Sequence, residues 1–145
     1  VRRGISVAVA NGAVTRAARH QAGELLSAVG AVNWIDDESL MDAVTALSGS
    51  GPAYVFHLTE CMTKAGIAAG LPDDLAATLA RATVAGSGEL MHQSGVTAET
   101  LRRNVTSPGG TTEAALSVLM ADDGMLPLMR RAVKTAARRS RELAA

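Results

Sequence analysis

Hydrophobic positions change rhythm near residue 37. Before it, residues 4–10 (Gly-Ile-Ser-Val-Ala-Val-Ala) form a short apolar run that predicts a strand. Thr15 is placed to cap a helix over 15–29, where Ala22, Leu25, Leu26 and Val29 recur at helical spacing, and Gly30 is placed to end it. Residues 31–35 predict a second strand. Strand, helix and strand in this order suggest the last unit of an α/β domain, residues 1–36, whose sheet edges would stay unpaired.

From 37 to 145 the pattern is helical. Leu40, Ala43, Val44 and Leu47 fall on one face, and Ser48-Gly49-Ser50-Gly51-Pro52 then predicts a break. A helix from Pro52 to about Gly70 has Leu58, Cys61, Met62, Ala65 and Ala69 on one face and apolar residues on the others, which predicts a place at the centre of the core. Further helices are expected over 73–93, from a Thr97 cap to Val105, after Thr111 with Leu116, Leu119 and Met120 inward, and over 125–143 with Leu126, Met129, Val133 and Ala137 as the stripe.

Composition sharpens this picture. Hydrophobic residues make up 48% of the 145 residues but aromatics only 2%, namely Trp34, Tyr54 and Phe56. A core of Ala, Val, Leu, Ile and Met lets helices approach closely but buries little area per residue, so a partner chain is expected to complete it. The formal net charge is zero, which argues against nucleic acid or a membrane surface as partner. Arg130, Arg131, Lys134, Arg138, Arg139 and Arg141 read as a solvated face near a helix C-terminus rather than an anion site. The single cysteine, Cys61, excludes an internal disulfide, suits a reducing cytoplasm and reads as core. His57, Glu60 and Lys64 interrupt the longest apolar stretch, so no membrane span is expected. The chain opens on Val1 without a signal-peptide pattern and reads as part of something longer.

Candidate chemistry is confined to the two glycine-rich breaks. Ser48-Gly49-Ser50-Gly51 before a helix can present backbone amides to a ligand, although a plain kink is the slightly favoured reading from spacing alone. Ser107-Pro108-Gly109-Gly110-Thr111-Thr112 combines an open backbone, a helix N-terminus and hydroxyl donors, a set that suits a carboxylate or phosphate, while an ordinary capped loop is the bland alternative. The P-loop lysine is absent from it. His20, His57 and His92 are scattered, and no spacing suggests a metal site.

Together these segments carry a resemblance. Asp42 to Tyr54 resembles the first block of the dimerisation domain of pyrroline-5-carboxylate reductases. Leu101 to Leu116, centred on Asn104-Val105-Thr106-Ser107-Pro108-Gly109-Gly110-Thr111-Thr112, is similar to that family's signature segment, and Arg139 to Leu143 also matches. The resemblance implies a mainly α fold, a helical dimerisation domain of the 6-phosphogluconate dehydrogenase C-terminal-like type (37–145), preceded by a short remnant of a Rossmann domain (1–36). It implies reduction of 1-pyrroline-5-carboxylate to proline by NADPH or NADH, the cofactor being held mainly by an N-terminal domain outside these residues. It implies a homodimer, with a decamer left open.

By the same resemblance Thr45 would hydrogen-bond the ring nitrogen, and Ser48, Gly49 and Ser50 would lie near the nicotinamide. Ser107, Gly109, Gly110, Thr111 and Thr112 would hold the substrate carboxylate, and Asn104 and Val105 would shape the pocket. Two rivals remain. A β-hydroxyacid-dehydrogenase-type enzyme would call for a lysine in a glycine-rich break, where neither Lys64 nor Lys134 sits. A non-catalytic dimerisation module would not need Gly109-Gly110.

Overall fold

The computed structural model describes residues 3–144. Val1, on which the reading of a longer parent rests, lies outside them. The chain divides into two compact units, one of residues up to Ser50 with those from Val133 on, the other Gly51–Ala132.

The first unit begins with β1 (Gly4–Val9), α1 (Arg16–Ser27) and β2 (Gly30–Ile35). The strands pair in parallel, from Gly4 opposite Gly30 to Val9 opposite Ile35, and form a two-stranded sheet. Thr15 caps α1 as expected, its hydroxyl accepting the Ala18 amide at 3.2 Å. Gly30 does not end the helix. It opens β2, and a Cβ there would collide with the Gly4 carbonyl oxygen, so the glycine answers to strand pairing. Under α1, Trp34 lies near the bare Cα of Gly23, with the Arg19 guanidinium 4.7 Å from its ring centroid.

A 3-10 turn (Glu38–Leu40) follows, with the Asp37 carboxylate accepting the Ser39 amide at 2.9 Å. The Ser39 side chain first, and this amide second, hold the Asp37 carboxyl below its ordinary range by hydrogen bonding its charged form. Next come α2 (Met41–Val44) and a π-helical turn (Thr45–Gly49). The expected break at Ser48–Pro52 is absent as a loop, because α3 (Gly51–Ala68) starts directly after Ser50, itself in helical conformation.

In the second unit α3 and α4 (Asp73–Ser94) pack against each other. The turn between them is closed by Gly70, with φ +100°, and by the Leu71 amide donating to the Gly66 carbonyl at 3.1 Å. Small residues form the seam: a Cβ on Gly66 would lie 3.3 Å from the Ala76 Cβ, and Ala76 and Ala80 are buried one turn apart. Asp73 and Asp74 occupy the first turn of α4, and Gly95, with φ +65°, ends it. Thr97 caps α5 (Ala98–Asn104). Then come α6 (Thr111–Leu119) and α7 (Met125–Ala144).

Burial differs from expectation. Among the described residues only Ala46, Ala76, Ala80 and Ala137 are buried. No residue of α3 is buried, and Phe56 stands 67% exposed, so the predicted centre of the core is open in the single chain. Leu119, Met120 and Leu126 are likewise exposed rather than inward. The stripe of α7 closes beyond its first turn: Met129 and Val133 are half-buried and Ala137 is buried. The remaining apolar faces lack a cover because small side chains set the helices close but leave the large ones outside the seam.

Candidate active site

The first candidate segment is the π-helical turn. Its i→i+5 ring is closed by the Ser50 amide, which donates to the Thr45 carbonyl at 2.9 Å. Ala46 is wholly buried and anchors the turn, while Thr45 and Gly49 face solvent and Ser48 and Ser50 are half-buried. A π turn carries one more residue than an α turn. It thereby presents hydroxyls and bare backbone together, as such turns often do at functional sites. The anion reading of this segment weakens: the Ser50 amide is already occupied, and no new helix N-terminus forms there. Space around the glycines remains open. A Cβ on Gly49 would make only ordinary contact with Thr45, and one on Gly51 would meet nothing within 4 Å.

The second segment is built from a turn followed by a helix start. Thr106 closes α5 by donating its hydroxyl to the Arg102 carbonyl at 2.6 Å. The Gly110 amide donates to the Ser107 carbonyl at 3.0 Å, with Pro108 second and Gly109 third, the pattern of a type II turn. Gly109 has φ +70°, the conformation that position requires and side chains disfavour. Gly110 has extended backbone and serves as the N-cap of α6 without a side-chain cap. Its missing Cβ also matters, since one would lie 3.0 Å from the Ser107 oxygen.

Two of the amides are therefore used internally. Gly110 donates to Ser107, and Gly109 donates to Glu113 Oε2 at 2.7 Å. Beyond them, the N–H groups of Thr111, Thr112 and Glu113 make no hydrogen bond among the described residues. Three amides at the positive end of a helix can take a small anion such as a carboxylate. Ser107 and Thr111 lie exposed beside them and Thr112 half-buried. Asn104 and Val105 end α5 just before the turn, both exposed. The residue that sequence reasoning passed over is Glu113. Its signal is present, an acidic residue three positions after an N-cap.

Thr45 and Ser48–Ser50 belong to one compact unit, and Asn104–Thr112 to the other. Elsewhere, His57 and Glu60 approach to 3.1 Å on α3, and Cys61 Sγ lies 3.6 Å from His57 Nε2. Cys61 is exposed, not core, because the face it occupies is open. His20 pairs with Glu24, and on α7 both Arg138 and Arg139 pair with Glu142. Among the described residues no group of three or more His, Cys, Asp or Glu could hold a metal ion, and no helix is long and apolar enough to cross a membrane.

The chain is similar to known proteins in sequence and in backbone. The chain is 48% identical to a pyrroline-5-carboxylate reductase of Pseudomonas aeruginosa, covering 99% of this chain and 52% of that protein. It is 42% identical to one of Pisum sativum, covering 95% and 50%. The chain thus spans about half the length of the curated relatives it matches. A solved pyrroline-5-carboxylate reductase from Coxiella burnetii superimposes with a TM-score of 0.90 at 36% identity, covering 98% of this chain and 52% of that one. The Plasmodium falciparum pyrroline carboxylate reductase with NADP bound gives 0.81 at 29%, covering 99% and 54%. Residues 38–143 match the pyrroline-5-carboxylate reductase dimerisation family, taking in both the π-helical turn and the amides of α6, and the chain belongs to that family.

Proposed function

We propose that this chain supplies the substrate-binding and dimer-forming part of a reductase that converts 1-pyrroline-5-carboxylate to proline. The observation that carries the reading is the trio of unengaged amides at Thr111, Thr112 and Glu113, reached over a Gly109-Gly110 backbone. The substrate has one permanent charge, its carboxylate. Neither glycine-rich segment contains an arginine or lysine, so helix-terminal amides with the Ser107 and Thr112 hydroxyls are its natural holder.

Residues 1–36 are assigned to the end of a dinucleotide-binding domain and 37–145 to the helical domain. NADPH or NADH, when bound, supplies the hydride taken up at the imine carbon. The open glycine face and half-buried hydroxyls of the π-helical turn fit the approach of a flat ring, so Ser48, Gly49 and Ser50 would line that side. Thr45, exposed in the same turn, would hydrogen-bond the ring nitrogen as its charge changes. Asn104 and Val105 bound the carboxylate side. This division of labour needs no catalytic His or Cys, because orientation and electrostatics are the protein's share.

The uncovered faces of α3 and α6 support a homodimer, a decamer being left open, and the lone, unpaired Cys61 suits the cytoplasm. The test has two arms. A polypeptide of the relatives' full length containing these residues is expected to oxidise NADPH when given 1-pyrroline-5-carboxylate, whereas the 145 residues alone, which carry no Gly-rich dinucleotide fingerprint, are not. In the isotope-labelled chain, L-proline is expected to shift the amide resonances of Thr111, Thr112 and Glu113. Shifts confined to the face of Arg138, Arg139 and Arg141 would refute the site.

A further inference from the structure

Glu113 sits where an anion-binding segment has least use for it: a carboxylate within the first turn of the helix whose N-terminus is to receive another carboxylate. Its side chain turns back along the chain, four residues, and Oε2 accepts the Gly109 amide at 2.7 Å. Gly109 is the residue with φ +70°, and its neighbour Gly110 donates to Ser107. The three bonds that order this corner are thus the turn bond Gly110 to Ser107, the first helical bond Ala114 to Gly110, and the bond Gly109 to the Glu113 side chain. Only the last ties the third position of the turn to the body of α6.

We infer that Glu113 is a positioning residue: it locks the Gly109-Gly110 corner to α6, so that the Thr111 and Thr112 amides are already aimed before substrate arrives. This rests on the carboxylate site proposed above. A two-glycine turn is the most freely moving kind of backbone, and a site assembled from it must order that backbone on every binding event unless something else has ordered it first. The acceptor oxygen performs the brace. The charge opposes it, since a carboxylate near the site repels a second one. Affinity is therefore expected to separate these two effects when acceptor and charge are removed one at a time.

The experiment compares E113Q with E113A in the isotope-labelled chain, titrated with L-proline. Both variants are neutral, so charge repulsion cancels between them, and only Gln keeps an acceptor for the Gly109 amide. E113Q is expected to bind proline at least as tightly as the parent chain. E113A is expected to bind about fivefold more weakly than E113Q, the scale of one neutral hydrogen bond. The Gly109 amide resonance should move upfield in E113A and hold near its place in E113Q, which reports the hydrogen bond itself, while the loss of proline affinity in E113A and its rescue in E113Q report the positioning role that a merely structural side chain would not have. Equal affinity of the two variants, with proline still shifting the Thr111 and Thr112 amides of the parent, overturns the inference and leaves the carboxylate site standing. No proline shift at those amides in the parent overturns both. If E113A does not fold, E113D makes the same comparison against the parent at constant charge, its side chain one methylene too short for the bond. Affinity matching the parent would then overturn the inference.

Discussion

Phe56 offers the most direct handle on assembly. It projects from α3 beside Val55, Thr59 and Thr63, opposite Ala77, Arg81 and Val84 of α4, along a groove of about 580 Å³, and is 67% exposed in the single chain. A phenylalanine side chain buries on the order of 200 Å² when fully covered, so about 130 Å² of Phe56 awaits cover. At about 25 cal/mol per Å² that is roughly 3 kcal/mol per protomer. In a two-fold symmetric interface the same residue appears twice, giving roughly 6–7 kcal/mol per dimer. At about 1.4 kcal/mol per factor of ten, replacing it with aspartate should raise the dimer Kd by between four and five powers of ten, before any cost of burying the new carboxylates. Sedimentation velocity over a concentration series is the assay. The parent is expected to remain dimeric to nanomolar concentration and Phe56→Asp to be monomeric at micromolar. A parent chain that sediments as a folded monomer at micromolar concentration, or a variant whose Kd does not move, would refute the reasoning.

Gly66→Val should drive α3 from α4 at the Ala76 contact and lower stability in urea unfolding by about 1–3 kcal/mol, the usual cost of overpacking; adding Ala76→Gly should return part of the loss. Thr45→Val, in a polypeptide of the relatives' full length, should cut kcat roughly tenfold to a hundredfold with little change in KM, the scale of one hydrogen bond to a charged group. An unchanged kcat would remove Thr45 from the mechanism. Asp37 has a folded carboxyl held below its ordinary range by Ser39, so its contribution is present above the unfolded value and lost as pH falls through the folded one. Asp37→Asn should therefore flatten the acid side of a melting-temperature profile and leave its neutral side nearly unmoved.

Local chemistry was the part of this fold that could be read from the chain. Thr15 and Thr97 cap their helices through bonds three residues long, so the residue and its consequence lie in one short window. Gly70 and Gly95 end helices by their own backbone angles. Reading failed where the cause lies elsewhere. Gly30 is required by Gly4, on another strand. The π-helical turn looked like a break because its widened ring leaves no periodic mark on side chains, and Gly49 and Gly51 carry the composition of a loop. The exposure of Phe56 and Leu119 could not follow from apolar periodicity, which records that a face wants cover but not whether its own chain supplies it. In the candidate site, the glycines and hydroxyls were legible, whereas the assignment of each amide was not: whether Gly109 or Thr111 is already engaged depends on how the Glu113 side chain folds back.

The pairing of Gly4 with Gly30 also bears on how a mutational map of this protein would look. No side chain larger than hydrogen fits at position 30 without parting the two strands at their first rung, because the Gly4 carbonyl fills the space. In a saturation screen scored by growth, position 30 would stand out as intolerant as any residue that touches substrate, while Gly12, with nothing near it, would accept nearly every change. Intolerance at a glycine in such a map would then report the closeness of two backbones, and a search for active-site residues by sensitivity alone would be drawn to the first rung of a strand pair.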